Sequence, residues 1–491
     1  MYLRCRPTTA YPGPGALIAW WLILGGRAPA YTRTVDLSRV WAELDSRWPE
    51  SIIEPSLTRI ASVMELLGDP QRAYPVIQVA GTNGKTSTAR MIEALLRSHG
   101  LRTGLFTSPH LVDARERIRL DGEPISEERL LDTWTDIEPY IHLVDKNSVE
   151  AGGVRLSYFE VLTALAYAAF ADAPIDVAVV EVGMGGTWDA TSVAAAKVAV
   201  ITPIGMDHSE YLGDTITQIA GEKAGIIAPG CTAISERQGE EAMDVLVKRA
   251  AETDTQLLAE GREFGIVERE IAVGGQVVTL RGLRGDYEDL FVPFFGEHQA
   301  SNACVALVAV EAFLGSADQP LDVDVIREGF AMAETTGRLH AVRLDPTVLV
   351  DSAHNPHGAQ ALAAAIHDSF TFDRLIGVVG VLGDKDATGV LEALEPILDA
   401  IVITTPASAR ALPAEELAAI AEDLFGGKEV MVEPELLEAV DRAMAWAEAD
   451  TDTGGNGVLI TGSVVLIGDA LRLFERQRGM GEIRIDQEGL D

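Results

Sequence analysis

Residues 76–87 constrain this chain most. Val76-Ile77-Gln78-Val79-Ala80 is a short apolar run that breaks into Gly81-Thr82-Asn83-Gly84-Lys85-Thr86-Ser87. Ala89, Ile92, Leu95 and Leu96 then fall at spacings that share one helix face. Strand, glycine-rich loop and helix together are the context of a phosphate-binding loop. Gly81 and Gly84 let successive backbone N–H groups turn inward, and the helix N-terminus adds partial positive charge at the same spot. Lys85 can reach the β- and γ-phosphates, and either Thr86 or Ser87 can place a hydroxyl on Mg²⁺. The common pattern has an earlier glycine where Val79 stands, so this is the shorter form of the loop. The plain alternative is a tight strand-to-helix turn with a surface lysine, and the flanking pattern disfavours it.

The length of 491 residues points to two or three domains, and 47% hydrophobic residues rule out wholesale disorder. With 75 acidic against 39 basic residues the formal charge is -36, which repels nucleic acid and anionic membranes over most of the surface. Anionic ligands must then be gathered by a few local cations. Cys5, Cys231 and Cys304 are too few and too scattered for a disulfide framework or a zinc pattern, which fits a reducing cytoplasm. The N-terminus is the contrary sign. Arg4 and Arg6 precede an apolar run from Ala16 to Leu24, and Ala28-Pro29-Ala30 resembles a cleavage site, the outline of a signal peptide. That run is too short to span a bilayer. An ATP-type loop argues against export, so residues 1–33 are expected to be a disordered leader.

Further along, Trp41, Leu44 and Trp48 share a helix face, and Ser56 opens a second helix through Leu67 behind Pro55. Thr107-Ser108-Pro109-His110-Leu111 follows a strand, where an open α/β sheet presents its ligand edge. Ser157-Tyr158-Phe159-Glu160 opens an apolar helix. Asp176 to Val182 reads as a buried strand ending in Glu181, a carboxylate that needs a metal or cation partner if it is buried. The strand Val198 to Thr202 leads to Asp207-His208, and Lys223 lies among small apolar residues where a bare ammonium is disfavoured. Residues 233–293 are acidic and mixed, with Gln276 to Leu280 a β element; a long helix opens near Gln299 and Asn302. A composition shift at Thr335-Thr336-Gly337-Arg338 marks a domain boundary, and strands and helices alternate again beyond it. The expected organisation is α/β throughout. A leader (1–33) precedes a doubly wound, P-loop ATPase-like domain (34–335), then a Rossmann-like α/β domain (336–475) and a tail (476–491).

Six motifs stand in the order found in folylpolyglutamate synthases: Gly81 to Ser87, Thr107 to Leu111, Glu181 to Gly186, Asp207-His208, Glu222-Lys223-Ala224-Gly225-Ile226 and Asp351-Ser352-Ala353-His354-Asn355-Pro356. The chain resembles that family, part of the Mur ligase superfamily with some members that are also dihydrofolate synthases, from about Leu37 to Leu473. The resemblance implies an amide ligase in which ATP phosphorylates a carboxylate and L-glutamate displaces phosphate. The implied acceptor is tetrahydrofolate or dihydropteroate. It places Thr82, Asn83, Gly84, Lys85, Thr86 and Ser87 on the triphosphate, with Lys85, His208 and Lys223 catalytic. Ser87, Glu181 and His208 match the family's Mg²⁺ ligands, and Lys223 matches a lysine that is carbamoylated and takes a second Mg²⁺. Asn302 resembles the adenine-reading position, Arg338 the hinge arginine on the phosphates, and Asp351 and His354 the second domain's ribose and phosphate contacts. The pterin side is implied to involve Glu54, Pro55, Ser56 and Leu57, the turn of Ser157, Tyr158, Phe159 and Glu160, and Trp188, Asp189 and Ala190, with Ser108 and His110 in the loop between.

The chain departs from the family at Thr187, where an arginine is usual, and at Thr86 and Ser352, which replace glycines. A monomeric cytoplasmic enzyme with neither nucleic-acid nor membrane partners is expected. A cell-wall Mur ligase is disfavoured because the Thr107 and Ser157 motifs resemble the folate branch. A P-loop ATPase or GTPase that couples hydrolysis to binding is disfavoured by the second domain.

Overall fold

The computed structural model describes residues 36–49, 54–315, 319–449 and 455–488. The expected leader lies outside them. The first sheet is built from β1 (Val76–Ala80), β2 (Thr103–Phe106), β3 (Ile118–Leu120), β4 (Glu123–Pro124), β5 (Val177–Glu181), β6 (Ala196–Ile201), β7 (Thr232–Ser235) and β8 (Gln256–Ala259). Its order is β4-β3-β2-β5-β1-β6-β7-β8, parallel from β2 to β8 with an antiparallel edge at β3 and β4.

The central strands are buried on both faces, which is why they read as continuous apolar runs. Ile77 and Val79 point into one core with the helices Lys85–Ser98 and Glu297–Leu314. Val76, Ala178 and Val180 point into the other, with the helices Glu127–Glu150 and Tyr158–Asp172. β9 (Gly265–Ala272), β10 (Gly275–Arg281) and β11 (Asp286–Val292) make a small antiparallel meander against the first of these cores. The β element expected from Gln276 is its middle strand.

The second sheet has the order β12-β13-β17-β14-β15-β16. Its strands are β12 (His340–Leu344), β13 (Thr347–Val350), β14 (Arg374–Val379), β15 (Ala400–Ile403), β16 (Glu429–Val432) and β17 (Asn456–Thr461), and only β12 runs antiparallel. Sequence patterning finds β13, β14, β15 and β17, the apolar buried strands. It misses β12 and β16, half-exposed edge strands with too few apolar residues to register. The last helix runs Val464–Glu488, beyond the expected domain end at 475. The parallel order brings the carboxyl ends of β1, β5 and β6 to one edge, and residues that follow β13, β14 and β17 line the same cleft from the second sheet. That shared edge is where an open α/β sheet binds its ligands.

Phe170 shows how the first domain is fitted together. It is fully buried, meets Tyr74 edge-on at 6.1 Å, and fills the notch over Gly104, where a Cβ would come within 2.7 Å of its ring. Phe170→Ala should cost about 3–5 kcal/mol of stability. Urea denaturation should show this as a lower midpoint for the first domain with an unchanged slope.

Candidate active site

A continuous cleft of about 1060 Å³ lies between the two sheets, and the phosphate loop forms its floor. The loop is held open from below. Thr82 N–H donates to the Pro203 carbonyl at 2.9 Å, and the Thr82 hydroxyl donates to the Gly205 carbonyl at 3.0 Å. Gly84 has φ of +86°, and a Cβ there would stand 2.5 Å from the Asn302 side-chain oxygen. Lys85 Nζ folds back onto the Thr82 carbonyl at 3.1 Å. Burial lowers its pKa, and the nearby Glu181 and Asp207 carboxylates oppose that shift.

Glu181 ends β5 and is buried. Burial raises its pKa, against the pull of Lys85 and two hydrogen-bond donors. The donors are the Thr86 hydroxyl, 3.0 and 3.1 Å from the two carboxylate oxygens, and Ser108 N–H at 3.2 Å. Thr86, not Ser87, touches Glu181; the Ser87 hydroxyl accepts from Gln299 Nε2 at 3.3 Å. Consecutive residues of a helix diverge by about a quarter turn, so one-residue register decides which hydroxyl faces the carboxylate.

His208 lines the same cleft. β1 lies between β5 and β6, so Glu181 and His208 do not follow neighbouring strands. The imidazole of His208 stands 3.8 Å from Asp207 instead. Burial pushes its pKa down to about 3, helped by Lys385, Lys85 and Lys223, while Asp207 pulls the other way. Lys223 is buried, donates to the Gly81 carbonyl at 2.8 Å, and has its pKa pushed down to about 7 by burial and by the Lys85 charge.

On the first-domain side, Glu54, Pro55, Ser56, Ser108, His110, Ser157, Phe159, Glu160, Trp188, Asp189 and Ala190 all line the cleft. Leu57 and Tyr158 do not. Leu57 packs against the core, and the Tyr158 ring lies under the Arg117 guanidinium at 5.4 Å. Three of the lining carboxyl and hydroxyl groups are committed to local structure. Ser157 and Glu160 form a reciprocal helix cap, with Glu160 N–H on the Ser157 hydroxyl at 3.1 Å and Ser157 N–H on Glu160 at 2.7 Å. Glu160 also pairs with Arg59 at 3.1 Å. Asp189 accepts from the N–H groups of Met184 and Thr191, each at 2.9 Å, and so fixes the glycine-rich turn after β5.

On the second-domain side, Arg338, Asp351 and His354 line the cleft. Asp351 accepts from Leu339 N–H at 2.8 Å and Ala353 N–H at 2.9 Å, and burial raises its pKa. His354 Nδ1 lies 2.8 Å from the Ser352 carbonyl, so that nitrogen carries the proton and Nε2 faces the cleft. Burial pushes its pKa down to about 4. Asn302 does not line the cleft. It sits beneath the loop, accepting from the Thr88 hydroxyl at 3.1 Å and donating to Gln299 at 2.9 Å, and so braces Gly84.

The cleft has features that the sequence reading did not single out. Phe295, His298, Ala361, Leu362 and Ala365 give the cleft a mostly apolar stretch of lining. Phe295 and His298 lie in a stretch read as a helix start, and the alanines are spaced along one face of the helix Pro356–Ser369. Arg59, Arg117 and Arg155 line the opposite end. Arginines distributed over separate elements leave no pattern that a sequence scan can detect.

A phosphate loop, a buried carboxylate beside it and a second parallel sheet closing over both are the parts of a Mur-type ligase. The chain matches the Mur ligase middle domain over residues 146–310 and the "Mur ligase, glutamate ligase domain" family over residues 337–464. Dihydrofolate synthase/folylpolyglutamate synthase of Mycobacterium tuberculosis is 50% identical over 469 residues, covering 92% of this chain and 96% of the relative. Folylpolyglutamate synthase of Lacticaseibacillus casei is 32% identical over 409 residues, 83% of this chain and 92% of the relative. Among solved structures, M. tuberculosis folylpolyglutamate synthase complexed with ADP superposes with a TM-score of 0.85 at 51% identity, covering 89% of this chain and 98% of that one. E. coli FolC in complex with DHPP and ADP gives 0.78 at 29% identity, covering 91% and 99%. The chain belongs to the folylpolyglutamate synthase/dihydrofolate synthase family.

The loop geometry makes a comparison of two glycines informative. Gly100 has a similar φ of +79° with nothing within 4 Å of its Cβ position, whereas Gly84 faces Asn302. Gly100→Ala should lose about 1–2 kcal/mol of stability from the left-handed backbone and keep its ADP affinity. Gly84→Ala should in addition weaken ADP binding about tenfold or more, measured by isothermal titration.

Proposed function

We propose that this chain joins L-glutamate to tetrahydrofolate and to dihydropteroate in the cytoplasm, as a monomer, at the expense of ATP. The observation that carries the reading is a single cleft lined by the phosphate loop, by the aromatic side chains Phe159 and Trp188, and by residues of the second domain. The family membership and the printed name of the 50% identical relative support both acceptors. Among the described residues no helix is long and apolar enough to cross a membrane. The relatives' folate-ligase names disfavour the cell-wall ligase and the coupled ATPase.

In the reaction the acceptor's carboxylate oxygen attacks the γ-phosphorus, the bond to the bridging β–γ oxygen breaks, and ADP leaves. The glutamate nitrogen then attacks the acyl carbon, the C–O bond to phosphate breaks, and the nitrogen loses its proton. Phosphoryl transfer of this kind depends on positioning and charge neutralisation. Lys85 and the loop amides suit the triphosphate, Arg338 and His354 suit its far side, and the apolar stretch at Phe295 suits the adenine. Ser157, Glu160 and Asp189 hold the shape of the pterin end.

The residues present fit Mg²⁺. The Thr86 hydroxyl and the Glu181 carboxylate are hard oxygen donors side by side at the phosphate loop. No cluster of three or more His, Cys, Asp or Glu in ligand arrangement exists among the described residues. That suits an ion held by one carboxylate, with phosphates and water completing its shell. Bound there, Mg²⁺ supplies positive charge to the transferring phosphoryl group. Lys223 is suited to carbamoylation and a second ion, because burial and the Lys85 charge push its pKa down to about 7 and favour the neutral amine. CO₂ adds only to the neutral amine.

The deciding assay measures glutamate-dependent ADP release with tetrahydrofolate, with dihydropteroate and with no acceptor. Release that ignores glutamate would overturn the ligase reading. Lys85→Ala should lower kcat by about 10²–10³, the scale of a lost transition-state charge contact. Near-normal turnover by that folded variant would remove the lysine from the phosphate site. Lys223→Ala should abolish ligation and keep ADP affinity. In the unaltered enzyme, carbamate occupancy at fixed dissolved CO₂ should rise with pH through about 7, because the protonated form is lost there. NMR with isotopically labelled bicarbonate checks this; no carbamate resonance in the Mg²⁺-saturated enzyme would count against it.

A further inference from the structure

One carboxylate collects the second domain. Asp207, in the loop after β6, has a side chain only 9% exposed. Lys385 Nζ lies 2.6 Å from its Oδ1 and is itself 8% exposed. Asn355 Nδ2 donates to Oδ2 at 3.0 Å, and His354 Nε2 stands 3.8 Å from the same oxygen. Lys385 and Asn355, the two groups that bind the carboxylate, and the nearby His354 ring all come from the second domain. Asn355 also reaches the phosphate loop: its Nδ2 donates to Asn83 Oδ1 at 3.0 Å, and its Oδ1 accepts from Asn83 Nδ2 at 3.2 Å. A continuous run of side chains thus leads from the loop that receives phosphates to the Gly383-Asp384-Lys385-Asp386 loop, which the reaction has so far left without a role.

We propose that Asn83, Asn355, Asp207 and Lys385 form a latch tying the phosphate loop to closure of the second domain, with Lys385 its positioning residue. The inference rests on the ligase reading. Asn83 Nδ2 also lies 2.9 Å from His357 Nδ1, a further tie between the loop and the helix Pro356–Ser369. Two more contacts between the domains are placed differently. Arg269–Asp368 and the bond from Arg472 to the Val112 carbonyl join surfaces away from the phosphate loop. They steady the domains without sensing the loop.

The latch has the physical character of a two-state contact. Removing water from both ions is costly, and parting them leaves each buried charge unpaired until water reaches it. Half-open states are therefore disfavoured against both closed and fully open ones. Asn355 has no spare capacity either. Its oxygen also accepts from Gly358 N–H at 2.8 Å as the cap of the helix Pro356–Ser369, so movement of Asn83 is felt by that helix.

Closure matters because an acyl phosphate is open to water. If the cleft is not shut, water oxygen bonds to the acyl carbon, the C–O bond to phosphate breaks, and a proton passes to solvent. The acceptor returns as its carboxylate and ATP has been spent without product. A broken latch should therefore uncouple the enzyme rather than simply slow it.

The test is the ratio of phosphate released to glutamate ligated, with ADP affinity measured alongside by titration. Lys385→Met keeps the apolar stem and removes the charge. Its ratio should rise several-fold above that of the wild type while its ADP affinity is unchanged. Lys385→Arg should bring the ratio back towards the wild-type value, because a guanidinium can still reach Asp207. Asn355→Asp keeps the helix cap but sets a second carboxylate against Asp207, so its ratio should rise too. A wild-type ratio in Lys385→Met overturns the latch. Loss of ADP affinity at an unchanged ratio also overturns it, making Lys385 a nucleotide contact. If the wild type ligates nothing to any acceptor, the ligase reading falls, and small-angle scattering decides the latch by itself. ADP-bound Lys385→Met should then be more extended than ADP-bound wild type, and equal radii of gyration reject the proposal.

Discussion

A carboxylate shut away from water has to be answered by its neighbours, and Glu181 is the group that arranges this molecule. It ends the strand beside β1, so the loop leaving β1 must bring donors to it. The Thr86 hydroxyl, the Ser108 amide and the Lys85 charge all converge there. That convergence fixes the first turn of the helix Lys85–Ser98 and the loop after β2 relative to each other. The glycines follow from the same requirement: Gly81 passes so close to Thr202 that a Cβ would overlap its hydroxyl at 1.9 Å. The phosphate loop is therefore less a flexible cradle than a turn pinned between β5 and β6.

The second domain repeats the logic on its own sheet. Asp351 uses both oxygens to tie the turn after β13, which leaves His354 and Asn355 aimed across the cleft. Residues with the appearance of ligand contacts thus divide into two kinds. Some hold a loop in shape, as Asp189, Glu160 and Asp351 do. Others keep a polar atom towards the cleft, as Lys85, Arg338 and His354 do.

Much of this was legible in the sequence. The parallel sheets showed because central strands must be apolar on both faces, and the phosphate loop showed because its glycines and lysine fall within five residues, Gly81 to Lys85. Register was not legible. Whether Thr86 or Ser87 meets Glu181 depends on how the helix begins, and whether Asn302 faces the cleft or the underside of Gly84 depends on the rotation of the helix Glu297–Leu314. Strand order was hidden as well, since chain order gives no hint that β1 is inserted between β5 and β6. Leu57 and Tyr158 turn away from the cleft for a related reason. A motif of adjacent residues points its side chains to different faces, so only some members of Glu54 to Leu57 or Ser157 to Glu160 can reach one cavity.

The cleft's cations sit inside a body of the opposite sign. Lys85 and Arg338 face the cavity, whereas the whole chain carries a formal charge of -36. Beyond roughly 8–10 Å at ordinary ionic strength the field is screened, and an approaching anion meets mainly the acidic exterior first. Local attraction takes over only at the mouth. Added salt therefore acts in opposite senses along one route: it eases the approach of nucleotide and folate and loosens their hold once inside. Arrival and residence of the same ligand carry opposite dependences on ionic strength, so the balance between them sets a salt concentration at which capture is most productive.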